Sequence, residues 1–148
     1  MKRIVIGVDG SAQANRAVDV AARLAADAGA EMTLVAVLTL PYVLDVEDEA
    51  YAKAERISLQ EVKEMYVDPR PPFLFRARER AAISGLRFIE TVATVGDPAE
   101  ELVKAADRRQ ADLIVVGRRG RGQIASLVFG SVSLKTLQLA TCPVMIVP

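Results

Sequence analysis

The residues with the clearest chemical potential form a segment rich in glycine and arginine in the last third of the chain. It runs from Gly117 to Gly122 as Gly-Arg-Arg-Gly-Arg-Gly and leads to Gly130 and Ser131, where an apolar helical pattern begins. Glycines allow a ligand to approach the backbone closely, and free N–H groups at a helix start attract anions. Arginine adds forked donors that suit phosphate oxygens. We therefore interpret the segment as a phosphate-binding site whose basic residues are Arg118, Arg119 and Arg121.

The charged residues are distributed unevenly around this segment. The chain carries 19 basic and 19 acidic residues and no net charge, which argues against broad attraction to nucleic acid or anionic membranes. All the acidic residues precede Leu113, whereas Lys135 and the three arginines follow it. We therefore expect a positive corner at the phosphate site and no nucleic-acid partner.

Two features of the composition limit the kinds of catalytic and metal-binding site that the protein could contain. The sequence contains no histidine, which excludes histidine-based triads, most zinc sites and the commonest general base. Its one cysteine, Cys142, has no second cysteine for an internal disulfide and lies in an apolar context before Pro143. We expect Cys142 to be a buried, inert thiol.

The first residues of the chain enter a strand pattern at once. Their apolar run is too short for a signal peptide, and no run in the sequence reaches the length of a membrane span. We therefore expect a cytoplasmic protein without membrane insertion.

Strand and helix patterns alternate along the chain. Apolar runs predict strands at 3–8, 31–40, 87–95, 113–116 and 143–147, and helical patterns lie at 12–28, 73–84, 98–109 and 131–141. The last helix is recognised by its apolar residues Val132, Leu134, Leu137 and Leu139. The acids and threonines of 87–95 indicate an edge strand with one wet side. This alternation predicts a doubly wound α/β sandwich around a five-stranded parallel sheet.

The segment at about 41–72 departs from this alternation. It contains eight acidic and four basic residues, and 50–66 is compatible with an amphipathic helix that Pro69, Pro71 and Pro72 would end. We expect a single domain over 1–148 with an irregular acidic excursion here. The excursion could be a lid, a partner surface or a solvated segment without a specific role.

Parallel sheets of this kind bind ligands beyond the carboxyl ends of their strands, where the strand order reverses. Asp9, Gly10 and Ser11 follow the first strand, and the glycine- and arginine-rich segment follows the strand at 113–116. If these strands are neighbours, both groups face one cleft. Either Asp9 or Ser11 can also cap the next helix, and Asp97 can cap the helix at 98–109.

Two familiar nucleotide motifs do not fit the segment. A P-loop needs a Gly-Lys pair, and the sequence has none. The string from Gly120 to Ala125 matches Gly-x-Gly-x-x-Ala, but a dinucleotide site also needs an acid about 20 residues later. No acid follows Asp112, so we set this interpretation aside.

A third nucleotide-binding pattern matches the sequence at every required position. It consists of Gly117, two residues, Gly120, nine residues, Gly130 and then Ser131. This spacing resembles the ATP-binding signature of the universal stress protein family. The opening Ile-Val-Ile-Gly-Val-Asp-Gly-Ser, the Gly-Asp-Pro turn, the Ala-Asp-Leu-Ile-Val-Val-Gly strand and the closing Cys-Pro-Val-Met-Ile-Val are also similar to that family. The resemblance covers nearly the whole chain except 41–72.

The resemblance implies a Rossmann-like fold of the adenine nucleotide α-hydrolase type, with strand order 3-2-1-4-5. It implies that Asp9 holds the adenosine end of the ligand and that Val37, or alternatively Leu38 or Thr39, presents its backbone to adenine. Gly7 and Val8 would shape the base pocket. The full set of implied binding residues is Gly7, Val8, Asp9, Val37, Gly117, Arg118, Arg119, Gly120, Arg121, Gly122, Gly130, Ser131, Val132 and Ser133.

Each of these residues also has a purely structural explanation. Gly117 could form only a strand-end turn, Asp9 and Ser131 could be only helix caps, and the arginines could be solvated loop charges. Their combination at a fixed spacing favours a ligand site.

The resemblance and the residues together predict an ATP-binding stress or regulatory protein. We expect ATP rather than AMP or ADP, because a long, positive loop can wrap a triphosphate, with Mg²⁺ held mainly by phosphate oxygens and water. No residue is suited to orient a nucleophile, so we expect at most slow hydrolysis. The resemblance also implies a homodimer paired through the last strand.

Two alternatives belong to other classes. The chain could be an interaction module that regulates a partner such as a transporter or kinase, with nucleotide only structural, through the excursion and the arginine-rich 73–87. It could also be an adenylyl transferase of the wider adenine-binding group, but the missing histidine motif argues against that enzyme.

Overall fold

A computed structural model describes residues 1–38, 71–119 and 129–148. Its strands are β1 (Arg3–Val8), β2 (Glu31–Leu38), β3 (Ile89–Val95), β4 (Leu113–Gly117) and β5 (Val144–Val147). Its helices are α1 (Ala12–Ala28), α2 (Pro72–Ala82), α3 (Pro98–Arg109) and α4 (Ser131–Leu139). The acidic excursion lies outside the described residues, apart from Pro71 and Pro72.

The five strands form one parallel sheet in the order β3-β2-β1-β4-β5. The predicted fold class and strand order are therefore confirmed, and β3 lies at an edge as its polar residues indicated. β1 is central, with Ile4 opposite both Met32 of β2 and Leu113 of β4. The carboxyl ends of β1 and β4 are consequently neighbours.

The strands are apolar on both sides because helices cover both faces of the sheet. On one face Ile4 and Ile6 pack with the alanines of α1 and with Leu74 of α2. On the other face Val5 packs with Ile114 and with Leu102 of α3. The small alanine side chains allow α1 to lie close to the sheet, and this arrangement is a doubly wound sandwich.

The helix starts follow local polar signals. Ser11 caps α1 by accepting a hydrogen bond from the Ala14 N–H at 3.1 Å. Asp9 is therefore not the cap, and it accepts instead from the Ser11 N–H at 2.9 Å. Asp97 caps α3 as predicted, by accepting from the Glu100 N–H at 3.0 Å.

The last helix differs from what its apolar pattern suggested. Its leucines and valine are between 37% and 51% exposed, whereas its buried side chains are Ser133 and Thr136. The Ser133 hydroxyl contacts the carbonyl oxygens of Arg118 and Gly130 at 3.1 and 2.9 Å, so a polar anchor orients α4. Within the described ranges, no helix has the length and apolar character needed to cross a bilayer.

Candidate functional site

A cavity of about 170 Å³ lies at the carboxyl ends of the strands, between α3 and the start of α4. The structure brings ten of the implied binding residues to its wall. These are Gly7, Val8, Asp9, Val37, Gly117, Arg119, Gly130, Ser131, Val132 and Ser133. Residues from β1, β2, β4 and α4 therefore meet at one place, as neighbouring strand ends require.

Four implied residues do not join this wall. Gly120, Arg121 and Gly122 lie outside the described residues. Arg118 is described but does not line the cavity. Its N–H donates to the Val147 carbonyl at 2.7 Å, and its own carbonyl accepts from the Gly130 N–H at 2.8 Å. The Arg118 backbone thus joins β4 to β5 and to the start of α4.

The sequence did not indicate the apolar part of the wall. Its residues are Ala14, Val35, Pro98, Leu102 and Val116. Val35 could have been found because it lies two residues before Val37 and so points to the same face of β2. The position of α3 over the sheet brings Pro98 and Leu102 to the wall, and that is a tertiary effect.

Two glycines of the wall are required by close packing. A Cβ atom on Gly117 would lie 2.9 Å from the Gln13 carbonyl carbon and 3.0 Å from the Ala14 nitrogen. On Gly7 it would lie 3.1 Å from Cδ2 of Leu102. Gly117 therefore lets β4 end directly against the first turn of α1. This close contact explains why a glycine stands at this position more specifically than a turn at the end of the strand does.

The start of α4 lines the cavity with the backbone of its first turn. Gly130 is the residue that caps this helix, with φ −74° and ψ 159°, so the interpretation of Ser131 as the cap is wrong. The first helical bond runs from the Leu134 N–H to the Gly130 carbonyl at 3.1 Å. The N–H groups of Ser131, Val132 and Ser133 precede it, and they have no acceptor among the described residues. A helix start of this kind favours an anion.

The side-chain charges are arranged less simply than the sequence suggested. Nε of Arg119 is buried and has no hydrogen-bond partner in the described part of the chain. Lys135, in contrast, contacts Asp97 Oδ2 at 3.1 Å and Glu100 Oε1 at 2.9 Å. The expectation that all four late basic residues form a positive corner is therefore wrong for Lys135, because carboxylates of α3 oppose its charge.

The ion pairs of Lys135 also shift its own pKa and that of Asp97. Hydrogen bonds to Glu100 and then to Asp97 raise the pKa of Lys135. The Glu100 N–H and, to a lesser extent, Lys135 lower the pKa of Asp97. Lys135 and Asp97 are therefore both charged at neutral pH.

Cys142 lies outside this wall and is only partly buried. Burial raises the pKa of its thiol, with Asp107 as a second cause, and the thiol form is therefore favoured. Across the described ranges, no three carboxylate, thiol or imidazole side chains are grouped so as to hold a metal ion.

Comparison with known proteins identifies the class of this chain. The family model that matches it is that of the universal stress protein family, and the match covers residues 1–148. The chain therefore belongs to the universal stress protein family, which confirms the resemblance.

Individual relatives match along nearly their whole length. The chain is 36% identical to the universal stress protein Rv1636 of Mycobacterium tuberculosis over 146 residues, which is 99% of this chain and 95% of that protein. It is similar to a universal stress protein crystallised in complex with cAMP, with a TM-score of 0.69, 31% identity and coverage of 99% and 95%. It is also similar to a universal stress protein from Archaeoglobus fulgidus in complex with dAMP, with a TM-score of 0.66, 25% identity and coverage of 100% and 98%.

Proposed function

We propose that this universal stress protein binds ATP and acts as a nucleotide-dependent stress or regulatory protein. The observation that carries the proposal is that one cavity is lined by Ser131, Val132, Ser133 and Arg119, whose backbone N–H groups (for the three α4 residues) and Nε (for Arg119) have no acceptor among the described residues. Of these groups, Arg119 Nε is buried, and a buried donor without an acceptor is unfavourable, so an anion that accepts from it and from the helix N–H groups gains free energy.

The rest of the cavity suits an adenine base. Apolar side chains of three strands and of α3 supply a surface on which a flat heterocycle can pack. Two similar universal stress proteins are crystallised with cAMP and dAMP, which are adenine nucleotides. The combination of an apolar wall with anion donors supports an adenine nucleotide rather than inorganic phosphate alone.

ATP is the nucleotide that we propose. Arg119 lies in the cavity wall with the helix start, and its guanidinium suits the outer phosphates of a triphosphate. The sequence from 117 to 130 carries two further arginines, Arg118 and Arg121. Mg²⁺ would be held mainly by phosphate oxygens and water, a mode that needs no dedicated carboxylate cage.

We propose hydrolysis that is slow at most. Asp9 is the carboxylate in the described wall, and its Oδ1 already accepts a hydrogen bond from the Ser11 N–H at 2.9 Å. A carboxylate at the adenosine end cannot orient water at the terminal phosphate. The proposal is therefore a binding protein rather than an efficient ATPase.

A charge placed at the start of α4 tests the proposal. Ser131→Glu puts a carboxylate where phosphates would bind, while an acid in a first turn stabilises the helix. By calorimetry with Mg-ATP, AMP, cAMP and adenosine, we expect ATP affinity to fall at least about tenfold and adenosine affinity to change little. Ser131→Gln, of the same size but neutral, is the control and should retain most of the ATP affinity.

Two results would contradict the proposal. One is an absence of adenine nucleotide both in the titration and in the mass spectrum of denatured, freshly purified protein. The other is ATP binding that Ser131→Glu leaves unchanged. Phosphate release measured with the same samples would give the hydrolysis rate.

Either of these results would favour the interaction module. Exposed apolar side chains around the end of α2 support that second function, since Ile83 is 86% and Phe88 67% exposed. Such residues fit a protein surface better than solvent.

We further propose a homodimer paired through β5. This strand lies at the edge of the sheet, and the exposed leucines of α4 belong to the helix that precedes it. Pairing two edges satisfies strand backbone groups and can cover such leucines. Light scattering should give a dimer mass, and a monomer of 16.0 kDa at all concentrations would contradict the proposal.

A further inference from the structure

Two helices border the cavity, and the strand pairing of the sheet does not connect them directly. α3 contributes Pro98 and Leu102 to the wall, and α4 contributes its first turn. Lys135 lies one turn after Ser131 and contacts both Asp97 Oδ2 and Glu100 Oε1, at 3.1 and 2.9 Å. These three residues, which we call the helix clamp, link the first turn of α3 to the second turn of α4.

The clamp carries more of the placement of α4 than an ordinary surface ion pair would. The leucines of α4 are exposed, and its buried side chains are the small polar residues Ser133 and Thr136. The apolar packing of these leucines is therefore only partial. The described polar side-chain contacts that hold α4 are those of Ser133 near Arg118, those of Lys135, and a hydrogen bond from Thr141, just after the helix, to Asp107 of α3 at 2.7 Å. Of the contacts with α3, those of Lys135 are the ones close to the helix start that lines the cavity.

One partner of Lys135 is itself held in place. Asp97 caps α3 and accepts from the Glu100 N–H at 3.0 Å, so its carboxylate has little freedom to move. Lys135 is not part of the cavity wall. It can therefore affect a ligand only through the position of α4 or through its charge.

We infer that Lys135 is a positioning residue for polyphosphate, because the helix clamp fixes the backbone N–H groups of Ser131, Val132 and Ser133 across the cavity from α3. The inference rests on the proposed function and extends it. If the clamp opens, the donors lose their alignment with the phosphates, and the apolar wall that would hold the base is unchanged. The clamp thus affects the phosphate end of the ligand selectively.

The first experiment removes the clamp and restores it. In calorimetric titrations, Lys135→Met should raise the dissociation constant of Mg-ATP about threefold to fivefold, the range of effects expected for exposed pairs. Adenosine affinity should not change, and Lys135→Arg should restore ATP binding because it can form the same two pairs. Lys104→Met is the matched control, since Lys104 pairs at 2.7 Å with Glu101 within α3 and does not reach α4.

The second experiment separates positioning from charge. Glu100→Gln and Glu101→Gln each remove one negative charge from the first turn of α3, but only Glu100 contacts Lys135. Positioning predicts that Glu100→Gln binds ATP more weakly than Glu101→Gln does. Tighter binding by Glu100→Gln would show that a released Lys135 contacts phosphate directly, and it would overturn the inference.

The outcomes distinguish this inference from the function on which it rests. If the unmodified protein binds no adenine nucleotide, both proposals fail. If it binds ATP and Lys135→Met binds ATP equally well, the positioning role alone fails. Equal losses for ATP and adenosine would also contradict it, because they would indicate a general loss of structure, which a melting curve would show.

Discussion

The two ends of the sheet both carry a basin with arginines, and they differ in what those arginines do. At the amino ends of the strands, a basin of about 320 Å³ is lined by Arg3, Glu31, Thr33, Glu90, Arg108, Arg109 and Gln110. At the carboxyl ends lies the cavity that contains Arg119. Both regions are concave and contain arginine, so shape and the presence of a basic side chain alone do not separate them.

Hydrogen-bond partners do separate the two ends. Arg109 donates to both carboxylate oxygens of Glu90, at 2.9 and 2.7 Å, and Thr33 donates to the same carboxylate at 3.3 Å. Arg3 donates to the Arg109 carbonyl at 3.0 Å. The polar groups named at the amino end thus stabilise one another, which is the pattern of a structural network.

The hydrogen-bond donors named at the carboxyl end differ in this respect. Arg119 Nε and the N–H groups at the start of α4 have no acceptors in the described part of the chain. The comparison teaches that a charged basin indicates a ligand only where its polar groups lack partners from the protein itself. The predictions below test that distinction, beginning with the largest expected effect.

Gly117→Ala should destabilise the fold more than any single charge change at either end. The new Cβ would lie 2.9 and 3.0 Å from backbone atoms of Gln13 and Ala14, and helix backbone cannot move aside easily. We expect the free energy of unfolding to fall by about 2–3 kcal/mol, as for overpacked cores. Urea unfolding followed by circular dichroism measures this loss.

Gly7→Ala is the matched control for this prediction. Its Cβ would meet the flexible end of Leu102 at 3.1 Å, so the neighbour can adjust. The loss of stability should be clearly smaller than for Gly117→Ala. Equal losses would mean that the contact with the first turn of α1 does not explain Gly117.

Exchanging arginine for methionine at each end tests the comparison directly. Arg119→Met removes an open donor from the cavity and should weaken ATP binding about tenfold, as expected for the loss of one charge-assisted hydrogen bond. Arg109→Met breaks a network on the far side of the sheet and should leave ATP affinity unchanged while lowering stability. Calorimetry and urea unfolding of both variants check this. A larger loss of affinity in Arg109→Met would reverse the comparison.

The strands, helices and fold class could be predicted because their signals are local. The run Arg3–Val8 is apolar on both sides, the alanines of α1 mark one packed face, and Asp97 with Pro98 marks a helix start. Each signal needs only a few neighbouring residues. The strand order came instead from the family resemblance, since no local pattern distinguishes β4 from β5 as the neighbour of β1.

The candidate site was predictable only in part. The glycines and the start of α4 could be found because their spacing is fixed along the chain. The pairing of Lys135 could not, since Glu100 is 35 residues away and the contact depends on how α3 and α4 cross. The exposure of Leu134 and Leu137 was also missed, because the anchor at Ser133 is a tertiary contact that a hydrophobic pattern does not contain.

The network at the amino end should make a small, pH-dependent contribution to the free energy of unfolding. Hydrogen bonds from Arg109 lower the pKa of Glu90 against the opposing effect of burial. A carboxyl whose pKa is lower in the folded state stabilises the fold above its unfolded pKa, near 4.5, and this stabilisation is lost as the pH falls through the folded value. Because the Glu90 side chain is 57% exposed, we expect less than about 1 kcal/mol.

A double-mutant cycle with Glu90→Gln, Arg109→Met and the combined variant isolates this contribution. The coupling free energy should be measurable at pH 7 and should decrease as the pH falls below 4.5 and through the lowered pKa of Glu90, while ATP affinity at pH 7 stays constant throughout. Coupling that does not decrease as Glu90 is protonated would mean that packing rather than charge joins the two residues. The comparison assumes that the amino end of the sheet and the cavity at the carboxyl end are independent. A change in ATP affinity in these variants would contradict that assumption.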